Sequence, residues 1–258
     1  MSDATPTEPV DAEPPLTGPA ALNARSFTAW PAWVDLSLDI VQYGPDIGSE
    51  AEFRLLGNLE NKRVLELGSG GGPNAVAMAK QGARVIAIDD SEEQVAHTRR
   101  LAEREETKVE LHHGDLADLA FVRADTIDVA LSVYALGSVP DLDRVFRQVH
   151  RVLRPEAPLV LSMPHPAYRM VDAVGNPPVV RRSYFDRTAI PWVVGAEAGA
   201  DHPLTISDLF TSLSRANFRV DTVLEPEPLK GAARGRHWTE AMRWVPATLI
   251  VRARKQGI

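Results

Sequence analysis

Short runs of apolar, often β-branched residues alternate from residue 62 onward with segments in which apolar residues recur every three or four positions. The runs have the length and composition of buried strands, and the segments between them have the period of amphipathic helices. Strands are predicted over residues 63–67, 84–89, 109–113, 127–133, 159–163, 218–224 and 247–252. This alternation predicts an α/β fold, a Rossmann-like doubly wound sheet that helices cover on both faces.

Residues that favour helix ends delimit the predicted helices. Pro73 stands where a first helical residue belongs, and Gly82 follows the last one. Ser91, with Gln94 three residues later, predicts a capping box. The predicted helices cover residues 73–81, 91–105, 141–153 and 205–216.

Two parts of the chain lack this regular pattern. Residues 1–22 are rich in Pro, Glu, Asp, Ala and Thr and can bury too little surface to offset the ordering of the chain, so a disordered tail is predicted. Residues 164–204 are rich in Pro, aromatic and Arg residues, and no regular elements are predicted there. An irregular insertion of this length in a compact domain is usually a functional loop or a lid.

Composition narrows the possible functions. The chain has 28 Lys and Arg against 35 Asp and Glu, a net charge of -7, which gives no basic field for nucleic-acid binding. The lack of cysteine excludes disulfides, thiolate metal ligands and a cysteine nucleophile, and no His, Asp and Glu cluster has metal-ligand spacing. There is neither a secretory signal nor an apolar run long enough to cross a bilayer, so a soluble, cytoplasmic protein is predicted.

A glycine-rich loop between the first strand and the first helix is the strongest functional signal. The loop begins at Glu66 and carries Gly68, Gly70 and Gly72, which permit a tight turn and close approach of a ligand to the backbone. A dinucleotide-binding loop has its third glycine one position later, where this chain has Pro73.

Acidic residues follow the next two strands. Asp89 ends the second strand, where a carboxylate can accept hydrogen bonds from both hydroxyls of a ribose. Asp115 and Leu116 follow the third strand, placed to accept a hydrogen bond from an exocyclic amine and to pack on a purine face. These features favour an adenosine-containing ligand.

Together these residues and the stretch 127–141 resemble class I S-adenosylmethionine-dependent methyltransferases, especially the small-molecule and ubiquinone/menaquinone-type branch. The resemblance implies a seven-stranded sheet of order 3-2-1-4-5-7-6 with an antiparallel last strand. It implies one domain over residues 23–258: a cofactor half at about 40–163, an acceptor-pocket insertion at about 164–204, and a C-terminal helix and strands at 205–258. S-adenosylmethionine would be the methyl donor and S-adenosylhomocysteine the product.

The same resemblance assigns roles to individual residues. Asp89 would bind the ribose hydroxyls, Asp115 with Leu116 would hold adenine, and Ser132 and Tyr134 would lie near the methionine end and the acceptor. The residues it assigns to the cofactor are Tyr43, Glu66, Gly68, Gly70, Gly72, Asp89, Asp115, Leu116 and Ser132.

Methyl transfer from a sulfonium needs no protonated leaving group, so positioning of the acceptor is the main requirement. A hydroxyl or amine acceptor must also lose a proton. His165, which follows the fifth strand, is the candidate base, and the alternative is a loop histidine fixed between Pro164 and Pro166. Tyr134 is a candidate for orienting the acceptor.

Aromatic residues in two loop segments predict the walls of an acceptor pocket for a planar or apolar small molecule. They lie in the insertion and in residues 229–244, and include Tyr168, Tyr184, Phe185, Trp192, His237 and Trp238. Two other functions stay open at this point. One is a NAD(P)-dependent oxidoreductase, which the glycine spacing disfavours, and the other is a non-catalytic S-adenosylmethionine-binding relative.

Overall fold

The computed structural model describes residues 37–172, 176–194, 197–231, 234–235 and 238–257, so the predicted tail over residues 1–22 lies outside the described residues. The strands are β1 (Arg63–Leu67), β2 (Arg84–Asp89), β3 (Val109–His113), β4 (Val129–Val133), β5 (Pro158–Pro164), β6 (Val171–Asp172), β7 (Val179–Val180), β8 (Ile190–Val194), β9 (Glu197–Asp201), β10 (Phe218–Leu224) and β11 (Thr248–Lys255). The helices are α1 (Glu50–Phe53), α2 (Pro73–Lys80), α3 (Glu92–Arg104), α4 (Leu142–Val152) and α5 (Ile206–Arg215), with short 3-10 helices at Leu136–Ser138, Tyr168–Met170 and Glu240–Arg243.

The main sheet has seven strands in the order β3-β2-β1-β4-β5-β11-β10. The pairs from β3 to β5 are parallel, and β11 runs antiparallel to both β5 and β10. The predicted order 3-2-1-4-5-7-6 and the antiparallel last strand are therefore confirmed. All the parallel strands end at one edge of the sheet, which is where ligands bind in such folds.

Both faces of the sheet are buried, because alternate residues of each central strand belong to different hydrophobic clusters. Leu65 and Leu67 of β1 pack in one cluster with the apolar residues of α4 and α5. Val64, the residue before Leu65, packs in the other cluster with residues of α2. The arrangement is the doubly wound sheet that the hydrophobic pattern predicts.

The predicted helix starts occur at the expected residues. Thr205 and Asp208 form a complete capping box at α5. At α3 the Ser91 side chain accepts from the Gln94 N–H, while the Ser91 N–H donates to the Asp89 carboxylate. The Asp89 carboxylate thus binds the Ser91 N–H, which a complete capping box would pair with the Gln94 side chain. This bond connects the start of α3 to the end of β2.

Two predicted strand limits were wrong by a few residues. β4 begins at Val129, since Ile127 makes only an isolated bridge with Leu153. β11 continues to Lys255, whose buried ammonium pairs with Asp125 at 2.6 Å. The sequence pattern cannot predict that a charged residue continues a strand when its partner lies 130 positions away in the chain.

The insertion over 164–204 was predicted to be irregular, and this prediction was wrong. It contains two antiparallel pairs, β6 with β7 and β8 with β9. In the second pair Trp192 lies opposite Gly199, where a Cβ atom would meet the indole ring at 2.5 Å. β9 consists of Glu, Ala, Gly, Ala and Asp and lacks the β-branched composition by which strands are recognised in sequence, and β6 and β7 have only two residues each.

Across the described part of the chain, no helix combines the length and the apolar composition that a membrane span requires.

Candidate functional site

The glycine loop lies at the carboxyl end of β1 and has a backbone that only glycine adopts readily. Gly68, Gly70 and Gly72 have φ angles of 74°, 45° and 88°. A Cβ atom at Gly68 would lie 2.0 Å from the Cβ of Ala135, and one at Gly72 would lie 2.5 Å from Thr98. The loop is therefore in close contact with the segment after β4 and with α3, and any side chain there would displace them.

Asp89 ends β2 beside this loop and is almost entirely buried. One carboxylate oxygen accepts from the Gly70 N–H at 2.9 Å, and the other accepts from the Ser91 N–H at 3.0 Å. These backbone bonds fix the orientation of the carboxylate, and each carboxylate oxygen can accept more than one hydrogen bond, so the group can also accept from ligand hydroxyls.

Glu66 brings a second carboxyl group to the base of the loop. It is 1% exposed, and its Oε2 has no hydrogen-bond partner among the described residues. Burial raises the pKa of Glu66 well above its usual range, and the charge of Asp89 acts in the same direction. A cationic ligand group at this position would offset both effects.

We expect Glu66→Gln to remove a pH dependence from folding stability. The folded-state pKa of Glu66 lies above its unfolded value of about 4.3. Its contribution to folding stability is therefore fully present below a pH of about 4.3 and is lost as the pH rises through the folded-state pKa. In urea titrations between pH 5 and pH 9, the stability of the variant should decline less with rising pH than that of the wild-type protein. Parallel pH profiles for the two proteins would contradict an elevated pKa at Glu66.

Asp115 and Leu116 lie next to Asp89, because the Gly114 N–H donates to the Asp89 carbonyl at 2.9 Å. The Asp115 side chain is half exposed, accepts from the Ala117 N–H and forms an ion pair with Arg144 at 3.1 Å. Leu116 is buried, and its Cδ1 lies 3.8 Å from the position of a Cβ at Gly68. Both residues thus border the glycine loop on the side of β3.

The segment before β1 is fixed to the loop by a residue that sequence reasoning missed. The side chain of Asn74, the second residue of α2, makes two hydrogen bonds with the backbone of Gln42. It accepts from the Gln42 N–H at 2.9 Å and donates to the Gln42 carbonyl at 3.0 Å. Tyr43 follows, fully buried, with its hydroxyl donating to Glu50 at 2.5 Å. The sequence offered one signal for this role of Asn74, its position directly after the proline that follows the glycine loop.

Ser132 and Tyr134 are both buried, and each uses its hydroxyl within the protein. Ser132 donates to the Leu67 carbonyl at 2.9 Å. Tyr134 follows β4 with a φ of 60°, and its hydroxyl lies 2.5 Å from that of Thr248. Burial raises the pKa of Tyr134, so the phenol is neutral.

His165 follows β5 and uses both of its ring nitrogens. Nδ1 accepts from the Ala167 N–H at 3.0 Å, and Nε2 lies 2.8 Å from a carboxylate oxygen of Glu225. Burial lowers the pKa of His165, with Glu225 acting in the opposite direction, so the ring is neutral and carries its proton on Nε2. Neither nitrogen is left free to accept a proton from a ligand.

A cavity of about 730 Å³ opens beside these residues. Asp46 and residues of the segment 225–246 line it, including Glu225, Trp238 and Met242. Residues of the segment 229–244 therefore line a cavity, whereas no described residue of the insertion lines it; His237 lies outside the described residues. The insertion packs on the sheet edge instead, since the His202 N–H donates to the Gly137 carbonyl at 2.8 Å.

A buried ion pair anchors the insertion. Arg169, in the 3-10 helix after β5, lies 3.6 Å from Asp201 at the end of β9, and both side chains are at least nine-tenths buried. Asp201 also accepts from the Ser138 hydroxyl at 3.2 Å. The pair therefore joins the segments that follow β4, β5 and β9.

Comparison with known proteins gives two kinds of similarity. Residues 64–156 match a family described as "Methyltransferase domain". A ubiquinone biosynthesis O-methyltransferase of Hahella chejuensis is 34% identical over 104 residues, which are 40% of this chain and 44% of that protein. The chain therefore spans less than half the length of this curated relative.

Solved structures resemble the fold over nearly four-fifths of this chain. An S-adenosylmethionine-dependent methyltransferase from Mesorhizobium loti is 27% identical, with a TM-score of 0.65, over 78% of this chain and 94% of that one. A crystal structure described as a putative S-adenosylmethionine-dependent methyltransferase from Listeria monocytogenes is 23% identical, with a TM-score of 0.62, over 79% and 95% of the two chains.

Proposed function

We propose a function from the premise that this chain belongs to the class I S-adenosylmethionine-dependent methyltransferases. The function is transfer of a methyl group from S-adenosylmethionine to a small-molecule acceptor. The observation that carries it is the pair of buried carboxyl groups, Glu66 and Asp89, beside a glycine loop at the carboxyl edge of the sheet. S-adenosylmethionine carries ribose hydroxyls, an ammonium and a sulfonium, which suit these two groups.

The described residues fit this molecule. The glycines of the loop carry no side chains, which permits close approach of a ligand to its backbone, and the unpartnered Oε2 of Glu66 suits a cationic group. In our proposal Asp89 binds the ribose hydroxyls, and Asp115 with Leu116 holds the adenine. The full set assigned to the cofactor is Tyr43, Glu66, Gly68, Gly70, Gly72, Asp89, Asp115, Leu116 and Ser132.

In the proposed assignment Tyr43 and Ser132 act through the backbone and packing, since their hydroxyls bond within the protein. Asn74 joins them by holding Gln42 against α2. The proposed domain limits remain a cofactor half at 40–163, an insertion at 164–204 and a C-terminal part at 205–258. A cysteine-free chain suits a reducing compartment, and we propose a cytoplasmic location.

We assign the acceptor to the cavity beside Trp238. A continuous path of contacts supports this, because Ala135 contacts the glycine loop at Gly68, and its neighbour Tyr134 shares one buried cluster with Met242. Trp238 and Met242 offer an aromatic and an apolar surface, which suit a planar small molecule.

The chain's contribution to the reaction is chiefly positioning. S-adenosylmethionine supplies an activated methyl group and leaves as the neutral thioether S-adenosylhomocysteine, so the protein need not protonate a leaving group. The glycine loop and Asp89 fix the donor side, while the cavity fixes the acceptor. Tyr134, neutral and buried between the two, orients the acceptor by packing rather than by proton transfer.

Calorimetric titration of the purified protein with S-adenosylmethionine, S-adenosylhomocysteine and NAD tests the proposal. We expect both sulfur compounds to bind and NAD not to bind, because Pro73 replaces the third glycine of a dinucleotide loop. Binding of NAD alone would indicate an oxidoreductase. Binding of the sulfur compounds without methyl transfer to any acceptor in a panel of phenols, amines and carboxylic acids would indicate a non-catalytic relative.

A further inference from the structure

The Glu225 carboxylate lines the cavity, and His165 holds it in place. It follows β10, its side chain is 52% exposed, and one of its oxygens lies 2.8 Å from Nε2 of His165. Among the described residues no other hydrogen bond or ion pair to this carboxylate occurs. With respect to this described part of the chain, its second oxygen can accept a proton or a hydrogen bond from a ligand.

His165 is suited to hold Glu225 and is not suited to act as a base itself. The Ala167 N–H occupies Nδ1, so the ring has a single tautomer, with the Nε2 proton directed at Glu225. The backbone also fixes the residue, since the His165 N–H donates to the Ala247 carbonyl at 2.8 Å. A buried residue with three such bonds, two of them made by its ring, fixes the carboxylate that it contacts.

We propose that the cavity binds a planar acceptor carrying a hydroxyl group, and that Glu225 accepts the hydroxyl proton while His165 positions Glu225. This inference rests on the proposed methyl transfer, and it moves the role of base from His165 to Glu225. Trp238 contributes an aromatic wall, and Arg234, which also lines the cavity, lies 4.8 Å from its ring centroid.

The step is balanced in atoms and charge. The acceptor oxygen forms a bond to the methyl carbon as the bond from that carbon to sulfur breaks and its electron pair remains on sulfur. The hydroxyl proton passes to the free oxygen of Glu225. The positive charge of the sulfonium and the negative charge of the carboxylate are thereby both neutralised, and Glu225 later returns the proton to solvent through its exposed side.

The test uses the full chain and 4-nitrocatechol, a planar diol whose absorption spectrum changes when a hydroxyl ionises. Spectrophotometric titration of the bound probe in the absence of the methyl donor should give a higher ionisation pH in wild-type protein than in Glu225→Gln, because a nearby carboxylate disfavours a second negative charge. With S-adenosylmethionine present, the same substitution should lower kcat for methylation of the probe about 100-fold, with little change in KM.

Glu110→Gln is the matched control, because Glu110 makes an equivalent contact of 2.8 Å with His112 on β3, and its side chain is similarly exposed at 60%. It should change neither the ionisation pH of the probe nor kcat. For the positioning role, His165→Gln retains an N–H donor toward Glu225 and should keep more of kcat than His165→Leu at equal thermal stability.

The outcomes separate this inference from the proposed function. If wild-type protein fails to bind S-adenosylmethionine in calorimetry, the proposed function fails, while the ionisation of the bound probe still tests the cavity and Glu225. If the donor binds and 4-nitrocatechol does not, or is not methylated, the inference is wrong. It is equally wrong if Glu225→Gln leaves both the ionisation pH and kcat unchanged.

Discussion

Replacement of Asp89 by Ala should weaken S-adenosylmethionine binding by roughly 100-fold or more, because hydrogen bonds to a charged group are worth about 1.5–3 kcal/mol each. Two effects add. The variant loses the proposed acceptor for the ribose hydroxyls, and it also loses the acceptor that fixes Gly70 at 2.9 Å and Ser91 at 3.0 Å. Calorimetric titration with S-adenosylmethionine measures the change in affinity.

Asp90→Ala is the control for this prediction, because Asp90 is the next residue and its side chain is exposed. It should bind the donor as wild-type protein does. Asp89→Asn gives a second comparison, since the amide keeps one oxygen for the backbone N–H groups while removing the charge. An affinity of Asp89→Ala within threefold of wild type would contradict the ribose assignment.

Replacement of Asp201 by Asn should destabilise the fold by about 3–5 kcal/mol, because removing one partner of a buried ion pair leaves the other charge uncompensated. The remaining charge is Arg169, whose Nη1 already has no hydrogen-bond partner among the described residues. Burial lowers the pKa of Arg169, with Asp201 acting against this, and the guanidinium nevertheless stays charged near neutral pH. Urea unfolding measures the loss of stability.

Two further variants distinguish the buried pair from a general sensitivity of the insertion. Asp172→Asn breaks an exposed contact with Arg181 at 3.8 Å and should cost less than about 1 kcal/mol. The double replacement Arg169→Met with Asp201→Leu should regain much of the lost stability, because it removes both buried charges together. Equal losses of stability in Asp201→Asn and Asp172→Asn would show that the buried pair stabilises the fold no more than the exposed contact does.

The two carboxylates at the site differ in what the sequence could reveal. Asp89 can be identified from the sequence because it ends a regular strand at a fixed distance from a glycine loop, and local patterns determine both features. Glu225 cannot be identified from the sequence. It becomes a neighbour of His165 only because β11 inserts antiparallel between β5 and β10. The sixty positions between the two residues carry no spacing that indicates the contact.

Local patterns in the sequence therefore determined the strands, the helices and the glycine loop, since apolar period, capping residues and glycine placement act over a few neighbouring residues. The sheet order was predicted only from the resemblance to a known family, because local patterns do not specify which strands pair. The tertiary structure alone decided the buried pair of Arg169 and Asp201, the clamp of Asn74 on Gln42, and the use of both nitrogens of His165. The same holds for the cavity, which forms from Asp46 and a segment about 180 positions further along the chain. Side-chain partners and cavities depend on distant parts of the chain meeting in space, and a one-dimensional pattern does not specify which of them meet.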